Sequence, residues 1–309
     1  MNFIVFSGQG SQKISMGKDL SDNFIEAKEV FEEVNEALDF NLTKIMWGDD
    51  EKALSLTYNA QPALMACGVA SFRVLKKITG KKLPQLAGYV CGHSLGEYTA
   101  MTVSEVFSLK ECSKLLRLRG NAMQKAVPVG KGAMAAFIGA DISTTLDILA
   151  QVQSFGVCDI ANDNSDGQVV ISGDLEAVEN AINLTKQYGV KRAVLLPVSA
   201  PFHCRLMQPA QLTMEKALNN LEFQQPTLPI ISNINAEPET DPNKLRINLI
   251  DQVTGTVKWR ETMLLAKKLG VQKITELGSG KVLTGIAKRM IENVSILNIE
   301  NSADLENIL

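Results

Sequence analysis

A short apolar run from Ala87 to Cys91 is bounded by glycines. It leads straight into Gly92, His93, Ser94, Leu95 and Gly96, after which helical spacing resumes. A strand this short, without polar alternation, reads as one buried on both faces, which places it in a parallel sheet covered by helices on each side. The turn that follows has the form G-x-S-x-G. Its glycines permit a bend where a Cβ would clash, and the bend thrusts the Ser94 hydroxyl out at a helix N-terminus. The first N–H groups of that helix lack intrahelical acceptors and can stabilise developing negative charge. The pentapeptide also arises by chance, so the alternative is a glycine-rich turn carrying an incidental serine. The flanking strand and helix favour a nucleophile.

The rest of the chain repeats this alternation. Phe3 to Phe6 reads as a buried strand ending in the loop Ser7 to Gln12, and Phe24, Ala27, Phe31, Val34 and Leu38 recur at helical spacing. Pro62 suits the first position of a helix. Ser108 with Glu111 three residues later forms a capping box for a helix running to about Met123. Between Pro128 and Val198 the order becomes strand, helix, strand, strand, helix, strand. That βαββαβ order matches a ferredoxin-like unit able to close its own small core. After Pro201, helices (Leu206 to Leu221, Lys258 to Lys268, Lys281 to Ile291) and short strands (Pro229 to Ser232, Lys273 to Leu277, Ser295 to Ile299) rejoin the first part. The expected fold class is therefore α/β. A large α/β-hydrolase-like domain with a parallel sheet core would span residues 1–127 and 199–309, with a smaller inserted ferredoxin-like domain at 128–198. A chain of 309 residues is long enough for both.

Composition narrows the setting. With 45% apolar and 21% charged residues the chain is neither disordered nor membrane-embedded in character. Ala53 to Phe72 is uncharged, but Tyr58, Asn59, Gln61 and Pro62 interrupt it, so it reads as a buried helix and not a membrane span. The strand starting at Phe3 leaves no room for a leader segment. Cys67, Cys91, Cys112, Cys158 and Cys204 lack CxxC spacing, which suits reduced thiols in the cytoplasm and argues against disulfides or zinc. A net charge of −3 gives no global reason to bind nucleic acid.

A serine nucleophile needs a base, and the chain has 2 histidines. His93 adjoins Ser94 in a sharp turn where successive side chains diverge. His203, in Ser199, Ala200, Pro201, Phe202, His203, is the candidate base, against the alternative of a buried histidine satisfied by backbone. No carboxylate announces itself as a third member of a triad.

GQGSQ at Gly8 to Gln12, QPAL at Gln61 to Leu64, GHSLGE at Gly92 to Glu97, and Arg119, Gly120 and Met123 add up to a pattern. Asn162, Asn164, Ser165 and Gln168, the pair Phe202 and His203, and GKVLTG at Gly280 to Gly285 extend it. Together these resemble the malonyl-CoA:acyl carrier protein transacylases of fatty acid synthesis, related to the acyltransferase domains of polyketide synthases, over nearly the whole chain. The resemblance implies ping-pong transfer of malonyl from malonyl-CoA to the pantetheine thiol of acyl carrier protein through a malonyl-Ser94 ester, with His203 as base and no cofactor or metal. It assigns the oxyanion hole to the N–H groups of Gln9 and Leu95 and the malonyl carboxylate to Arg119, whose guanidinium can make two parallel hydrogen bonds to one carboxylate. It assigns the orientation of His203 to the backbone carbonyl of Gln252, and the pocket lining to Gln61 and Asn162. Phe202 corresponds to the malonyl-selective form of the motif, where a bulky ring leaves little room for an α-methyl group. Apart from the resemblance, Arg119 reads as an exposed helix arginine, Gln252 as a solvent-facing helix end, Phe202 as core, and Gln61 and Asn162 as cap or turn residues.

Ser7, Asp166 and Thr256 replace prolines common in the family, all in expected loops. A dinucleotide fingerprint at Gly8 and Gly10 fails because Lys13 occupies the third glycine position. The competing functions are a free-standing polyketide-pathway acyltransferase, a serine thioesterase or hydrolase using the same elbow, and a non-catalytic carrier-binding subunit. The intact pair Ser94 and His203 argues against the last. The chain is expected to act as a monomer. Arg73, Lys76, Lys77, Lys81 and Lys82, or Lys191 with Arg192, could steer an acidic carrier.

Overall fold

The computed structural model describes residues 1–306. Among them are ten strands: β1 (Asn2–Phe6), β2 (Tyr89–Gly92), β3 (Gly132–Ile138), β4 (Cys158–Ser165), β5 (Gln168–Asp174), β6 (Arg192–Leu195), β7 (Ile230–Ile231), β8 (Pro238–Glu239), β9 (Lys273–Leu277) and β10 (Ser295–Ile299). They form a six-stranded sheet in the order β10-β9-β1-β2-β7-β8 and a separate four-stranded sheet in the order β4-β5-β3-β6. The large sheet is parallel except for the β7–β8 pair. The small sheet is antiparallel throughout.

The central strand β1 explains why its sequence is apolar at every position from Phe3 to Phe6. Ile4 and Phe6 join one core with the helices Ile25–Leu38 and Thr57–Thr79, while Phe3 and Val5 join a second with Trp259, Met263 and Ile286 on the opposite face. Both faces are covered, so the two-residue period of the strand carries no polar member. The small sheet is also covered on both sides. Ala133, Ala135 and Phe137 of β3 pack on its own helices Ile142–Gln151 and Leu175–Leu184, whereas Met134 and Ala136 pack into the main core.

Contacts along β4 tie the small sheet to the segment 256–260. Val257 N–H donates to Ala161 O at 2.9 Å and Asp163 N–H donates to Val257 O at 2.9 Å, extending β4 by one parallel bridge. Thr256 donates its hydroxyl to Ile160 O at 2.6 Å, and Arg260 pairs with Asp163 at 2.8 Å.

Pro62 does not open its helix. The helix begins at Thr57 and Pro62 lies inside it. Proline has no N–H to give the Tyr58 carbonyl one turn back. Arg117 Nη1 supplies that donor at 3.0 Å, and also donates to Asn59 Oδ1. A long-range side chain thus repairs the helix, which a local reading of Pro62 cannot foresee. Of the helix Pro242–Gln252 the sequence reading gives only an end at Gln252. Its available signal was Asp241 before Pro242, where Asp241 Oδ1 accepts from Asn243 N–H at 2.8 Å.

Candidate active site

The loops after β1 and β2 meet at the carboxyl edge of the parallel sheet, where open α/β sheets place their ligands. His93 N–H donates to Phe6 O at 3.0 Å, joining the two. The turn at Gly92 to Gly96 is tight for an identifiable reason. A Cβ on Gly92 would collide with the Gly96 carbonyl, and one on Gly96 with Phe6 O. Ser94 itself takes φ 53° and ψ −109°, a conformation that costs a non-glycine residue about 1–3 kcal/mol and must be held by its surroundings. Asn233 provides the hold: its Oδ1 accepts from Ser94 N–H at 2.7 Å and its Nδ2 donates to Gly92 O at 2.8 Å.

Ser94 Oγ lies 2.8 Å from His203 Nε2. His203 Nδ1 lies 2.8 Å from the backbone carbonyl of Gln252. A carbonyl can only accept, so Nδ1 carries the proton and Nε2 turns its lone pair to the serine. His203, like Ser94, sits at positive φ, 58°. Burial, aided by the nearby charge of Arg119, pushes its pKa down to about 3, so the imidazole is neutral and ready to take a proton. His93 diverges from the serine. Its Nε2 lies 2.9 Å from Asn164 Oδ1 on β4 and its ring packs against Trp259.

Arg119 comes from the helix Leu109–Ala126, opened by the Ser108 and Glu111 capping box. It is 1% exposed. Its Nη1 donates to Gln61 Oε1 at 2.8 Å, and its Nη2 to Gln252 Oε1 at 3.0 Å and to Ser94 Oγ at 3.2 Å. Its Nε has no partner. Burial pushes its pKa down, but an arginine stays charged across the physiological range. All these hydrogen-bond partners are neutral. A buried cation beside a nucleophile with no carboxylate in contact is built to receive an anionic group of the substrate.

Gln252 is the hub of the site. Besides its carbonyl on His203 and its Oε1 on Arg119, its Nε2 donates to Ser94 O at 3.0 Å and to Glu97 Oε2 at 2.7 Å. The sequence pointed to its main chain alone. It also left Glu97, Ser232 and Asn233 without roles; Glu97 stands in the GHSLGE motif, whereas no sequence signal marked the other two. Gln9 and Leu95 flank the serine, one on the loop after β1 and the other opening the helix Leu95–Val103. Among the described residues neither backbone N–H has an intramolecular acceptor. Phe202 is buried in the main core, and Asn162 is buried on β4 at the bridge to Val257. Neither makes a side-chain hydrogen bond to the serine, histidine or arginine.

Two of the basic side chains suggested for carrier steering are already engaged, Arg73 with Glu33 at 3.0 Å and Lys77 with Glu26 at 3.1 Å. The five cysteines are unpaired and buried. Among the described residues no group of three or more His, Cys, Asp or Glu side chains is assembled for a metal ion, and no helix is long and apolar enough to cross a membrane.

A serine on a strained elbow, a neutral histidine on its hydroxyl and a buried arginine beside both are the equipment of acyl transfer through an ester intermediate. The acyl transferase domain model matches residues 3–298, and the chain belongs to that family. It is 38% identical over 301 residues to the malonyl CoA-acyl carrier protein transacylase of Haemophilus influenzae, covering 97% of this chain and 95% of that one. The Bacillus subtilis protein of the same name is 37% identical over 303 residues, covering 98% and 94%. Among solved structures, the acyl-carrier-protein-S-malonyltransferase of Bartonella henselae superposes with a TM-score of 0.97 at 47% identity, covering 100% of this chain and 98% of that one. A malonyl-transacylase in complex with its type II PKS acyl-carrier protein superposes at 0.95 with 37% identity, covering 100% and 98%.

Proposed function

We propose that Ser94 is the nucleophile, His203 its base and Arg119 the acyl-carboxylate ligand of an enzyme that moves malonyl from malonyl-CoA to the pantetheine thiol of acyl carrier protein, serving fatty acid synthesis. The 2.8 Å contact of Ser94 Oγ with a neutral His203 Nε2, beside a buried arginine lacking any carboxylate partner, carries the reading. Ser94 Oγ attacks the thioester carbonyl as its proton passes to His203 Nε2. The N–H groups of Leu95 and Gln9 receive the oxyanion. Collapse of the tetrahedral intermediate breaks the C–S bond, and His203 returns the proton to the departing CoA thiolate. In the second half-reaction His203 takes the proton of the carrier thiol, whose sulfur attacks the malonyl ester; Ser94 leaves with that proton. The Gln252 carbonyl keeps the imidazole in the required tautomer throughout.

Arg119 pairs with the free carboxylate of the malonyl group, Gln61 and Asn162 line the pocket, and the Phe202 ring disfavours an α-methyl substituent. The large unit, residues 1–127 and 199–309, is α/β-hydrolase-like, a reading supported by its elbow between a parallel strand and a helix. The small unit, 128–198, is ferredoxin-like, supported by its βαββαβ order and its β4-β5-β3-β6 sheet. All the proposed groups lie in one chain, which supports a monomer as the working form. The buried, unpaired cysteines support a reducing, cytoplasmic setting.

The test is a rapid-mixing experiment with malonyl-CoA followed by peptide mass mapping. A malonyl adduct on the Ser94 peptide should form and be discharged to holo acyl carrier protein. An adduct that releases free malonate equally fast with and without the carrier would make the enzyme a hydrolase.

A further inference from the structure

Arg119 touches no carboxylate, yet one lies a single side chain away. Glu97, three residues beyond Ser94 on the elbow helix, is wholly enclosed. Its Oε2 accepts from Gln252 Nε2 at 2.7 Å and from Asn233 N–H at 3.1 Å, and its Oε1 accepts from Ser232 Oγ at 2.8 Å. Gln252 is thereby clamped, with Glu97 and, at 3.0 Å, the Ser94 carbonyl on its nitrogen and Arg119 on its oxygen.

A side-chain amide can be turned by half a rotation with little change of shape. Turned that way, Gln252 would set its NH2 against Arg119 Nη2, donor against donor, and its oxygen against Glu97 Oε2, acceptor against acceptor. Arg119 cannot resist the flip alone, because its Nη2 could fall back on Ser94 Oγ at 3.2 Å. Glu97 can, together with the Ser94 carbonyl, since an ionised oxygen already accepting from Asn233 takes only an N–H from Gln252 and Glu97 makes the shorter of the two contacts, 2.7 Å against 3.0 Å. Burial pushes the Glu97 carboxyl above its usual range against these donors. The orienting contact needs only the lone pairs of Oε2, which a proton on Oε1 would leave in place. Interposing an amide also keeps the carboxylate off the guanidinium. A carboxylate in direct contact with Arg119 would compete with that of the substrate.

We propose that Glu97 is a positioning residue for acyl recognition: by accepting from Gln252 Nε2 it fixes the amide whose oxygen holds Arg119, and so sets the preference for a carboxylate-bearing acyl group. The proposal rests on the reading of Arg119 as the acyl-carboxylate ligand. Glutamine in place of Glu97 can keep the contact, its oxygen accepting from Gln252 and Asn233 while its NH2 donates to Ser232 Oγ. Aspartate keeps the charge but is one methylene too short to span Ser232 and Gln252 together.

The experiment measures kcat/KM for malonyl-CoA and acetyl-CoA, and their ratio, in Glu97→Ala, Glu97→Gln, Glu97→Asp and Arg119→Ala. The ratio should fall about tenfold or more in Glu97→Ala and Glu97→Asp, and recover to within about threefold in Glu97→Gln, as loss and restoration of one buried polar contact predict. A merely structural role would lower both substrates in proportion. An unchanged ratio in Glu97→Ala alongside a collapsed one in Arg119→Ala overturns the proposal. So does a ratio better kept by Asp than by Gln, a comparison that decides the matter alone if Glu97→Ala does not fold. If Arg119→Ala itself keeps the ratio, the reading of Arg119 is what fails.

Discussion

At its carboxyl edge the parallel sheet ends in a buried polar assembly, with Ser94, Glu97, Arg119, His203, Asn233 and Gln252 joined by hydrogen bonds. The antiparallel sheet fills its own interior with Ala133, Ala135, Phe137, Ile148, Ile171 and Val178. The difference follows from what each sheet leaves open. Parallel strands all end at one edge, with a loop and the unpaired N–H groups of a helix after each, so polar groups can converge there. Antiparallel strands alternate in direction and are linked by turns or helices at both ends, leaving a sheet that serves best as a wall. The polar assembly and the small sheet should therefore respond to substitution in opposite ways: chemistry lost with stability kept in the first, stability lost with chemistry kept in the second.

The sharpest way to break this contrast is His203→Ala. Turnover should fall about 10^4-fold, roughly 5 kcal/mol in the barrier, because the serine loses its proposed base. The thermal midpoint should move little. Steady-state kinetics beside a melting curve checks both, and a large drop in the midpoint would show the polar assembly to be scaffold as much as machinery. Next in size is Phe137→Ala on the small sheet. It should cost about 3–5 kcal/mol of stability, read from a denaturant midpoint, by opening a cavity in a core of small side chains. The kcat/KM of the folded protein should stay within about threefold. A larger loss would mean that the wall also positions the reacting groups.

The smallest effect concerns pH. As the proposed base, His203 is neutral, because burial, aided by the charge of Arg119, pushes its imidazole down to about 3. The acid limb of kcat/KM should therefore lie more than about one unit below 6.5, the ordinary histidine value. A rate profile between pH 4.5 and 8 measures it, and a midpoint near 6.5 would place the His203 ring in water, against the burial described above.

Much of this was legible in the chain because it is local. The run into Gly92 announced strand, turn and helix within a few residues; Ser108 and Glu111 announced a helix start; the scarcity of histidine singled out His203. The roles proposed for Arg119, Gln252, Gln61 and Asn162 come only through family likeness, since an arginine or glutamine on a helix looks the same whether it faces water or a substrate. Pro62 was misread because the donor that repairs its helix is Arg117, 59 residues from the Tyr58 carbonyl it caps.

By itself, the sequence determined that a serine would stand on a strained elbow between a buried strand and a helix, since steric limits and burial patterns act between near neighbours. Tertiary structure alone decided what holds that serine and what lies around it. Asn233 reaches Ser94 from 139 residues away, and Gln252 reaches Glu97 from 155. A hydrogen bond is set by distance and direction in space, and no spacing along the chain records which polar groups will meet once water is excluded.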